Sequence, residues 1–207
     1  MPNSTLQSPP QQVQNGVSDD LLITAHAAII AGRHFNQQAS NLAKQGYMGA
    51  YPSSLGQEAC QVAAALALEP ADWLFPTYRD SVAVMSRGID LAEVLSPFHG
   101  SSHCGYAPTK THTAPEATPL ATHTAHAVGL AMAAKFAGDS TVALAMCGDG
   151  STSEGDFHEA LNLAAVFEVP VVFLVQNNGY AISTPVSRQM RAASIAAKGE
   201  GYGMPAY

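Results

Sequence analysis

Charged residues are scarce in this chain, and positively charged residues are the scarcest of them. Only 12% of the 207 residues are charged, with 9 Lys and Arg against 16 Asp and Glu, which gives a net charge of −7. A protein that binds nucleic acid needs clustered positive charge to neutralise the phosphates. We therefore expect no nucleic-acid partner. Apolar residues make up 47% of the chain, which favours an α/β domain or a subunit whose surface is largely covered by partners.

Cysteines and targeting signals are also few. Cys60, Cys104 and Cys147 are widely spaced and form no C-x-x-C pair, so neither a disulfide framework nor a thiol redox motif is indicated. The N-terminus lacks the basic and apolar regions of a secretory signal, and the first arginine is Arg33, unlike a mitochondrial transit peptide. No apolar run reaches the roughly 18–20 residues of a membrane span. We predict a cytoplasmic protein without a membrane partner.

The remaining pattern divides the chain into a short arm and one domain. Residues 1–18 are rich in Pro, Gln, Asn and Ser and are predicted to be a disordered arm, because they bring little apolar surface to offset the entropy of ordering. Residues 19–207 are predicted to form one α/β domain, with Ser18 capping its first helix. Periodicity and breakers predict helices over about 18–46, 54–68, 78–88, 90–98, 122–136 and 154–167, with a loop over 99–119.

Two short, unbroken apolar runs, residues 141–147 and 171–175, are typical of strands that are buried on both faces. One predicted helix separates them, which makes a βαβ unit and hence a parallel sheet. Residues 73–75 are a candidate for a further short strand. Parallel sheets normally have more strands than this. We therefore expect the 207-residue chain, taken alone, to self-associate or to depend on a partner.

Polar and glycine residues follow both predicted strands. Gly148, Asp149 and Gly150 leave the first strand, and Asn177 and Asn178 follow the second. The carboxyl ends of parallel strands share one edge of the sheet, where ligands bind. An Asp carboxylate and an Asn amide oxygen there suit Mg²⁺, which prefers oxygen ligands and leaves positions for phosphate oxygens. The sequence thus predicts a metal diphosphate site.

Ser151 and Glu154, just after this turn, have the spacing of a capping box. This spacing predicts that the next helix starts there.

Several segments resemble the alpha subunits of thiamine-diphosphate-dependent 2-oxo acid dehydrogenases. They are residues 55–59, 75–80, 118–122, 153–165 and 180–185, and the stretch from Gly148 to Asn178 matches the thiamine-diphosphate motif. The resemblance covers about residues 20–205. It implies the thiamine-diphosphate-binding α/β fold, a parallel sheet flanked by helices, incomplete at the C-terminus because the family's alpha chains continue further.

The resemblance also implies roles for individual residues. The side chains of Asp149 and Asn178 and the carbonyl of Tyr180 would ligate Mg²⁺. The other expected cofactor contacts are Tyr78, Arg79, Gly148, Gly150 and Ser151 around the diphosphate, and the main chain of Leu120 at the aminopyrimidine. No catalytic acid or base is assigned, because the activating glutamate belongs to the beta subunit and the active-site histidine lies beyond this sequence.

The implied function is oxidative decarboxylation of pyruvate or a branched-chain 2-oxo acid, with acyl transfer to a lipoyl group. The implied partners are a beta subunit, in a heterotetramer, and a lipoyl acyltransferase component, and the chain is expected to be inactive without the beta subunit. Two alternatives stay open. One is a transketolase-like subunit, which shares the motif, and the other is a non-catalytic, truncated subunit that binds a partner.

Histidines form two further groups. One group lies in the predicted loop and comprises His99, His103 and His112, with Cys104 nearby; its spacing matches no common zinc pattern, so zinc is disfavoured. His123 and His126 are three residues apart near the start of a predicted helix. For them we favour packed or solvated side chains over a role in the active site.

Overall fold

A computed structural model describes residues 16–207; most of the predicted arm therefore lies outside the described residues. Numbered in chain order, the described elements are α1 (Asp19–Lys44), α2 (Glu58–Leu66), β1 (Trp73–Phe75), α3 (Ser81–Ser86), α4 (Leu91–Leu95), α5 (Pro108–Thr111), α6 (Thr122–Ala137), β2 (Ala143–Gly148), α7 (Gly155–Phe167), β3 (Val171–Gln176), β4 (Tyr180–Ala181), β5 (Thr184–Pro185), α8 (Val186–Gln189) and α9 (Ala196–Gly201). None of these helices combines the length and the apolar character that a membrane span requires.

The sheet is parallel, as predicted, and the candidate third strand is part of it. Its order is β1-β2-β3, and Ala143 of β2 lies opposite both Trp73 and Val171. The central strand β2 is buried over its first five residues, as expected. The prediction that β3 is buried on both faces is wrong, because its Val172 is 52% exposed. Within residues 16–207, β3 is an edge strand, so part of its apolar surface stays uncovered.

Alternate residues of β2 point into two separate cores. Ala143 and Ala145 belong to a cluster with small residues of α6 and α7. Leu144 and Met146 belong to a second cluster with alanines of α2 and α3. This alternation follows from the two-residue period of a strand. Helices therefore cover both faces of the sheet at β2, which confirms the predicted α/β architecture and leaves its carboxyl edge to the loops.

The predicted loop 99–119 contains α5 and a segment, residues 112–117, that pairs beside β1. Leu74 N donates to His112 O at 3.0 Å, and Ala114 N donates to Leu74 O at 2.8 Å. Further along, Tyr78 N donates to Ala117 O at 3.0 Å. The loop prediction was therefore incomplete. The segment has no periodicity, and its pairing depends on residues almost forty positions away in the chain.

Two helix starts test the predicted caps. Ser18 caps α1 as predicted, because its Oγ accepts from Leu21 N at 3.2 Å. The capping box at Ser151 and Glu154 is wrong. Residues 149–153 form a 3-10 helix, in which Glu154 N donates to the backbone carbonyl of Ser151 at 3.1 Å. Glu154 is instead the N-cap residue of α7, which begins at Gly155 without a side-chain capping bond.

The helices over 54–68 and 78–88 are shorter than predicted, since α2 begins at Glu58 and α3 at Ser81. Side-chain hydrogen bonds occupy the missing turns. Ser54 N donates to Asn36 Oδ1 at 3.0 Å, and Arg79 N donates to Thr77 Oγ1 at 3.3 Å. These bonds offer the backbone an alternative to the helical ladder.

Candidate functional site

The turn after β2 holds its acidic residue inside the protein. The residue Asp149 is only 2% exposed, and Oδ2 of its carboxylate accepts a hydrogen bond from Gln189 Nε2 at 2.9 Å. Thr152 Oγ1 donates to the main-chain carbonyl of Asp149 at 2.8 Å. Within residues 16–207 no basic side chain forms an ion pair with this carboxylate. A buried carboxylate without such a partner is an attractive place for a cation.

Gly150 lets another part of the chain approach this turn closely. A Cβ atom at this position would lie 2.7 Å from Cβ of Ala181, in the hairpin formed by β4 and β5. Only a residue without a side chain fits this close approach. The requirement is for space, because Gly150 is not among the residues with positive φ. The hairpin thus covers the turn that carries Asp149.

The turn after β3 leaves the same edge of the sheet, because Gly148 and Gln176 are partners in the parallel ladder. Asn178 is exposed, and its Oδ1 accepts from Tyr180 N at 3.0 Å. The Tyr180 side chain is 59% exposed. The fold therefore brings the two predicted metal-binding turns to one edge. An amide oxygen has two lone pairs, so Oδ1 of Asn178 can accept the hydrogen bond from Tyr180 N and still bind a second partner.

Arg79 lies in the loop after β1 with an unneutralised charge. Its Nη1 donates to Ser53 O at 2.7 Å, and its guanidinium carbon lies 5.6 Å from the ring centroid of Tyr78. The backbone of Arg79 is held as well, because Gln61 Nε2 donates to its carbonyl at 3.0 Å. Within the described part of the chain the guanidinium forms no salt bridge. Its charge is therefore available to an anion.

Asp80 was not among the predicted site residues, although it lies next to two of them. It is fully buried. Its Oδ1 accepts from Gln176 Nε2 at 2.6 Å, and its Oδ2 accepts from Thr77 N at 2.8 Å and from Thr77 Oγ1 at 2.7 Å. Burial raises the pKa of Asp80, while the hydrogen bonds from Thr77 and Gln176 act in the opposite direction. Through these hydrogen bonds the carboxyl group connects the loop after β1 to the end of β3.

Another carboxyl group missed from the sequence belongs to Glu116, a partly buried residue. Its Oε1 is buried and has no hydrogen-bond partner in the described part of the chain. Burial raises the pKa of Glu116 to about 8. The segment that carries it leads to Leu120, which is 39% exposed, and then to Ala121, which takes a left-handed conformation with φ 64°. A glutamate in a loop gives no sequence signal of burial.

His123 is a packed histidine, as favoured from the sequence. It is 4% exposed, and its Nε2 lies 2.6 Å from the carbonyl of Met146. A carbonyl only accepts, so Nε2 carries the hydrogen. Burial lowers the pKa of His123. His126 is exposed. In the earlier loop, His112 stacks on Trp73 with ring centroids 5.4 Å apart, which gives it a packing role.

The donor set at the sheet edge fits Mg²⁺. The carboxylate of Asp149, the amide oxygen of Asn178 and main-chain carbonyls are hard oxygen donors, which this ion prefers. Oδ1 of Asp149 has no hydrogen bond to the described residues, whereas Oδ2 is held by Gln189. One carboxylate oxygen is therefore fixed while the other is available to a cation.

Comparison with known proteins places the chain in a family. Residues 27–207 match the family described as Dehydrogenase E1 component. The chain is 47% identical over 187 residues to the 3-methyl-2-oxobutanoate dehydrogenase subunit alpha of Mycobacterium tuberculosis, covering 90% of this chain and 51% of that protein. It is 34% identical over 195 residues to the pyruvate dehydrogenase E1 component subunit alpha of Acholeplasma laidlawii, covering 94% and 56%.

A third relative is the mitochondrial 2-oxoisovalerate dehydrogenase subunit alpha 2 of Arabidopsis thaliana. The two chains are 36% identical over 197 residues, covering 91% of this chain and 42% of the plant protein. The chain thus spans about half the length of the curated relatives it matches. Because the family match covers most of the chain and agrees with the parallel α/β fold, this protein belongs to the dehydrogenase E1 component family.

Proposed function

We propose that this chain is the alpha-type subunit of a thiamine-diphosphate-dependent 2-oxo acid dehydrogenase and that it binds the cofactor's diphosphate through Mg²⁺. The observation that carries the proposal is Asp149, a buried carboxylate without a basic partner at the carboxyl edge of a parallel sheet. Such an edge is where open α/β sheets bind ligands. The names of the relatives, which include both pyruvate and branched-chain dehydrogenases, support the reaction class.

The proposed ligands divide between the metal and the cofactor. Asp149 and Asn178 would hold the metal with side-chain oxygens, and Tyr180 would do so with its carbonyl. Around the diphosphate we propose Tyr78, Arg79, Gly148 and the N–H groups of Gly150 and Ser151, with the main chain of Leu120 at the aminopyrimidine. When bound, thiamine diphosphate would supply the nucleophilic carbon and the electron sink for decarboxylation. This chain's part is to bind and orient the cofactor.

Arg79 suits a diphosphate because its planar guanidinium donates two parallel hydrogen bonds and stays charged. Arg79 Nη1 donates a hydrogen bond of 2.7 Å to Ser53 O, and Gln61 donates a hydrogen bond to the main-chain carbonyl of Arg79. The bond to Ser53 O reduces the number of side-chain conformations that binding would have to restrict. The remaining N–H groups provide the phosphate contacts in our proposal.

The proposed substrate is a 2-oxo acid, either pyruvate or a branched-chain compound, and the proposed partners are a beta subunit and a lipoyl acyltransferase. The uncovered edge at β3 supports a partner subunit, because Val172 is 52% exposed there and parallel sheets usually have both faces covered. We propose that the alpha chain is inactive until the beta subunit joins it. A cytoplasmic location stays a prediction.

The central test is replacement of the proposed metal ligand. In the protein assembled with its beta subunit, Asp149→Ala should abolish Mg²⁺-dependent binding of thiamine diphosphate, because it removes the carboxylate from the proposed ligand set. Glu159→Ala is the matched control, since Glu159 is an exposed acidic residue on α7. Isothermal titration with the cofactor at several Mg²⁺ concentrations measures the effect. Unchanged affinity in Asp149→Ala would refute the metal assignment.

A second test concerns the proposed diphosphate contact. Arg79→Lys should weaken cofactor binding less than Arg79→Ala, because lysine keeps the charge but loses the planar fork. Arg191→Ala, at an exposed position, controls for loss of positive charge. If Arg79→Lys and Arg79→Ala bind the cofactor equally well, the guanidinium does not grip phosphate through its fork.

A further inference from the structure

We infer that Gln189 is a positioning residue for Asp149, holding one carboxylate oxygen so that the other faces the metal. Gln189 Nε2 donates two hydrogen bonds, each of 2.9 Å, to Asp149 Oδ2 and to the main-chain carbonyl of Thr184. The inference rests on the proposed Mg²⁺ site. It assigns a role to a residue outside the segments whose resemblance to the family identified that site.

The orientation of the Gln189 amide follows from its partners. At neutral pH a carboxylate oxygen and a peptide carbonyl both only accept hydrogen bonds. The NH₂ group must therefore face Asp149 and Thr184, and Oε1 must point away from them. Oε1 is in fact buried without a hydrogen-bond partner in the described part of the chain. The side chain keeps this orientation although it leaves one of its own polar atoms unsatisfied.

The position of Gln189 in the fold explains what its contact does. It ends the single turn of α8, which packs against the 3-10 turn of Asp149 and against β5. Its two bonds join that turn to the hairpin whose Ala181 already lies against Gly150. Gln189 thus connects the two structures that carry the proposed metal ligands Asp149 and Tyr180. Partners that orient a metal-binding carboxylate in this way raise metal affinity.

The test separates metal affinity from cofactor affinity in the protein assembled with its beta subunit. Gln189→Leu should weaken Mg²⁺ binding about tenfold at saturating thiamine diphosphate, the lower end of the effect of losing such a partner. Cofactor affinity at saturating Mg²⁺ should stay unchanged. Arg188→Ala, at an exposed position on the same helix, should alter neither value. Isothermal titration with Mg²⁺ and with the cofactor gives both constants.

A second variant keeps the inference testable if Gln189→Leu does not fold. Gln189→Asn retains the amide but is one methylene shorter, so it should lose the bond to Asp149 and weaken Mg²⁺ binding in the same way. Mg²⁺ affinity equal to that of the unsubstituted protein in either variant would overturn the inference. A parallel loss of Mg²⁺ and cofactor affinity would also overturn it, because that result indicates general damage to the site.

The two proposals fail in different ways. If the unsubstituted protein binds thiamine diphosphate without any dependence on Mg²⁺, the proposed function fails and the role of Gln189 fails with it. If the unsubstituted protein shows that dependence but the Gln189 variants behave like it, only the positioning role fails.

Discussion

Replacement of Asp80 tests whether the hydrogen bonds around this buried carboxyl group hold the loop after β1 to β3. The group accepts three bonds, from Thr77 N, Thr77 Oγ1 and Gln176 Nε2, at 2.8, 2.7 and 2.6 Å. Asp80→Ala removes every acceptor and leaves these donors buried. Asp80→Asn keeps one oxygen and turns the other acceptor into a donor. We expect the alanine variant to be much less stable than the asparagine variant.

The expected magnitudes follow from the donors left without partners. A buried donor that loses its acceptor costs about 1–3 kcal/mol. The Thr77 hydroxyl can rotate towards another acceptor, so two N–H groups remain, and Asp80→Ala should lower the free energy of unfolding by about 4 kcal/mol. In Asp80→Asn the new NH₂ group faces Gln176, whose Oε1 is buried without a described partner. A flip of the Gln176 amide restores the bond, so the loss should be only about 1 kcal/mol.

The assay is urea unfolding monitored by circular dichroism. The dependence of the unfolding free energy on urea concentration is checked for each variant, because a change in this slope would indicate a changed unfolded state. Asp20→Asn, at an exposed position in α1, is the control. In a Gln176→Leu background the asparagine at position 80 should cost more than in the native background, since no acceptor can flip towards it. Equal destabilisation by Asp80→Ala and Asp80→Asn would refute the proposed amide flip.

Three further predictions use positions elsewhere in the fold. Gly150→Ala should destabilise the protein by about 1–3 kcal/mol in urea unfolding, because its Cβ would lie 2.7 Å from Ala181, whereas Gly155→Ala meets nothing within 4 Å and should not. Burial raises the pKa of Glu116 to about 8, so the stability linked to its protonation is complete below its ordinary pKa and is lost as the pH rises through about 8. Glu116→Gln should therefore raise the melting temperature at pH 9 relative to the unsubstituted protein. If the difference in melting temperature between the variant and the unsubstituted protein is the same at pH 4 and at pH 9, this prediction is contradicted. Val172→Lys should reduce self-association of the isolated chain in light scattering, because a charge on an exposed edge strand disfavours pairing; undiminished association would show that β3 is not the contact.

The strands and the edge where they converge were readable from the sequence. Residues 141–147 and 171–175 form contiguous apolar runs, and the single helix between them requires a parallel arrangement. Because parallel strands end at one edge, the turns of Asp149 and Asn178 were expected at the same edge, and the pairing of Gly148 with Gln176 confirms this. Each of these features depends on neighbours within one βαβ unit. Their signal is therefore local and survives without knowledge of the rest of the fold.

The contacts that hold this edge together depend on residues distant in the chain. Asp80 and Gln176 are 96 positions apart, and Asp149 and Gln189 are 40 apart. Neither glutamine stands in a pattern that distinguishes it from a surface residue. Their partners become neighbours only after the sheet has formed and the hairpin has folded onto the turn. A hydrogen bond needs atoms within about 3 Å, and such proximity between remote residues comes from packing of the whole domain, which leaves no periodic trace in the sequence.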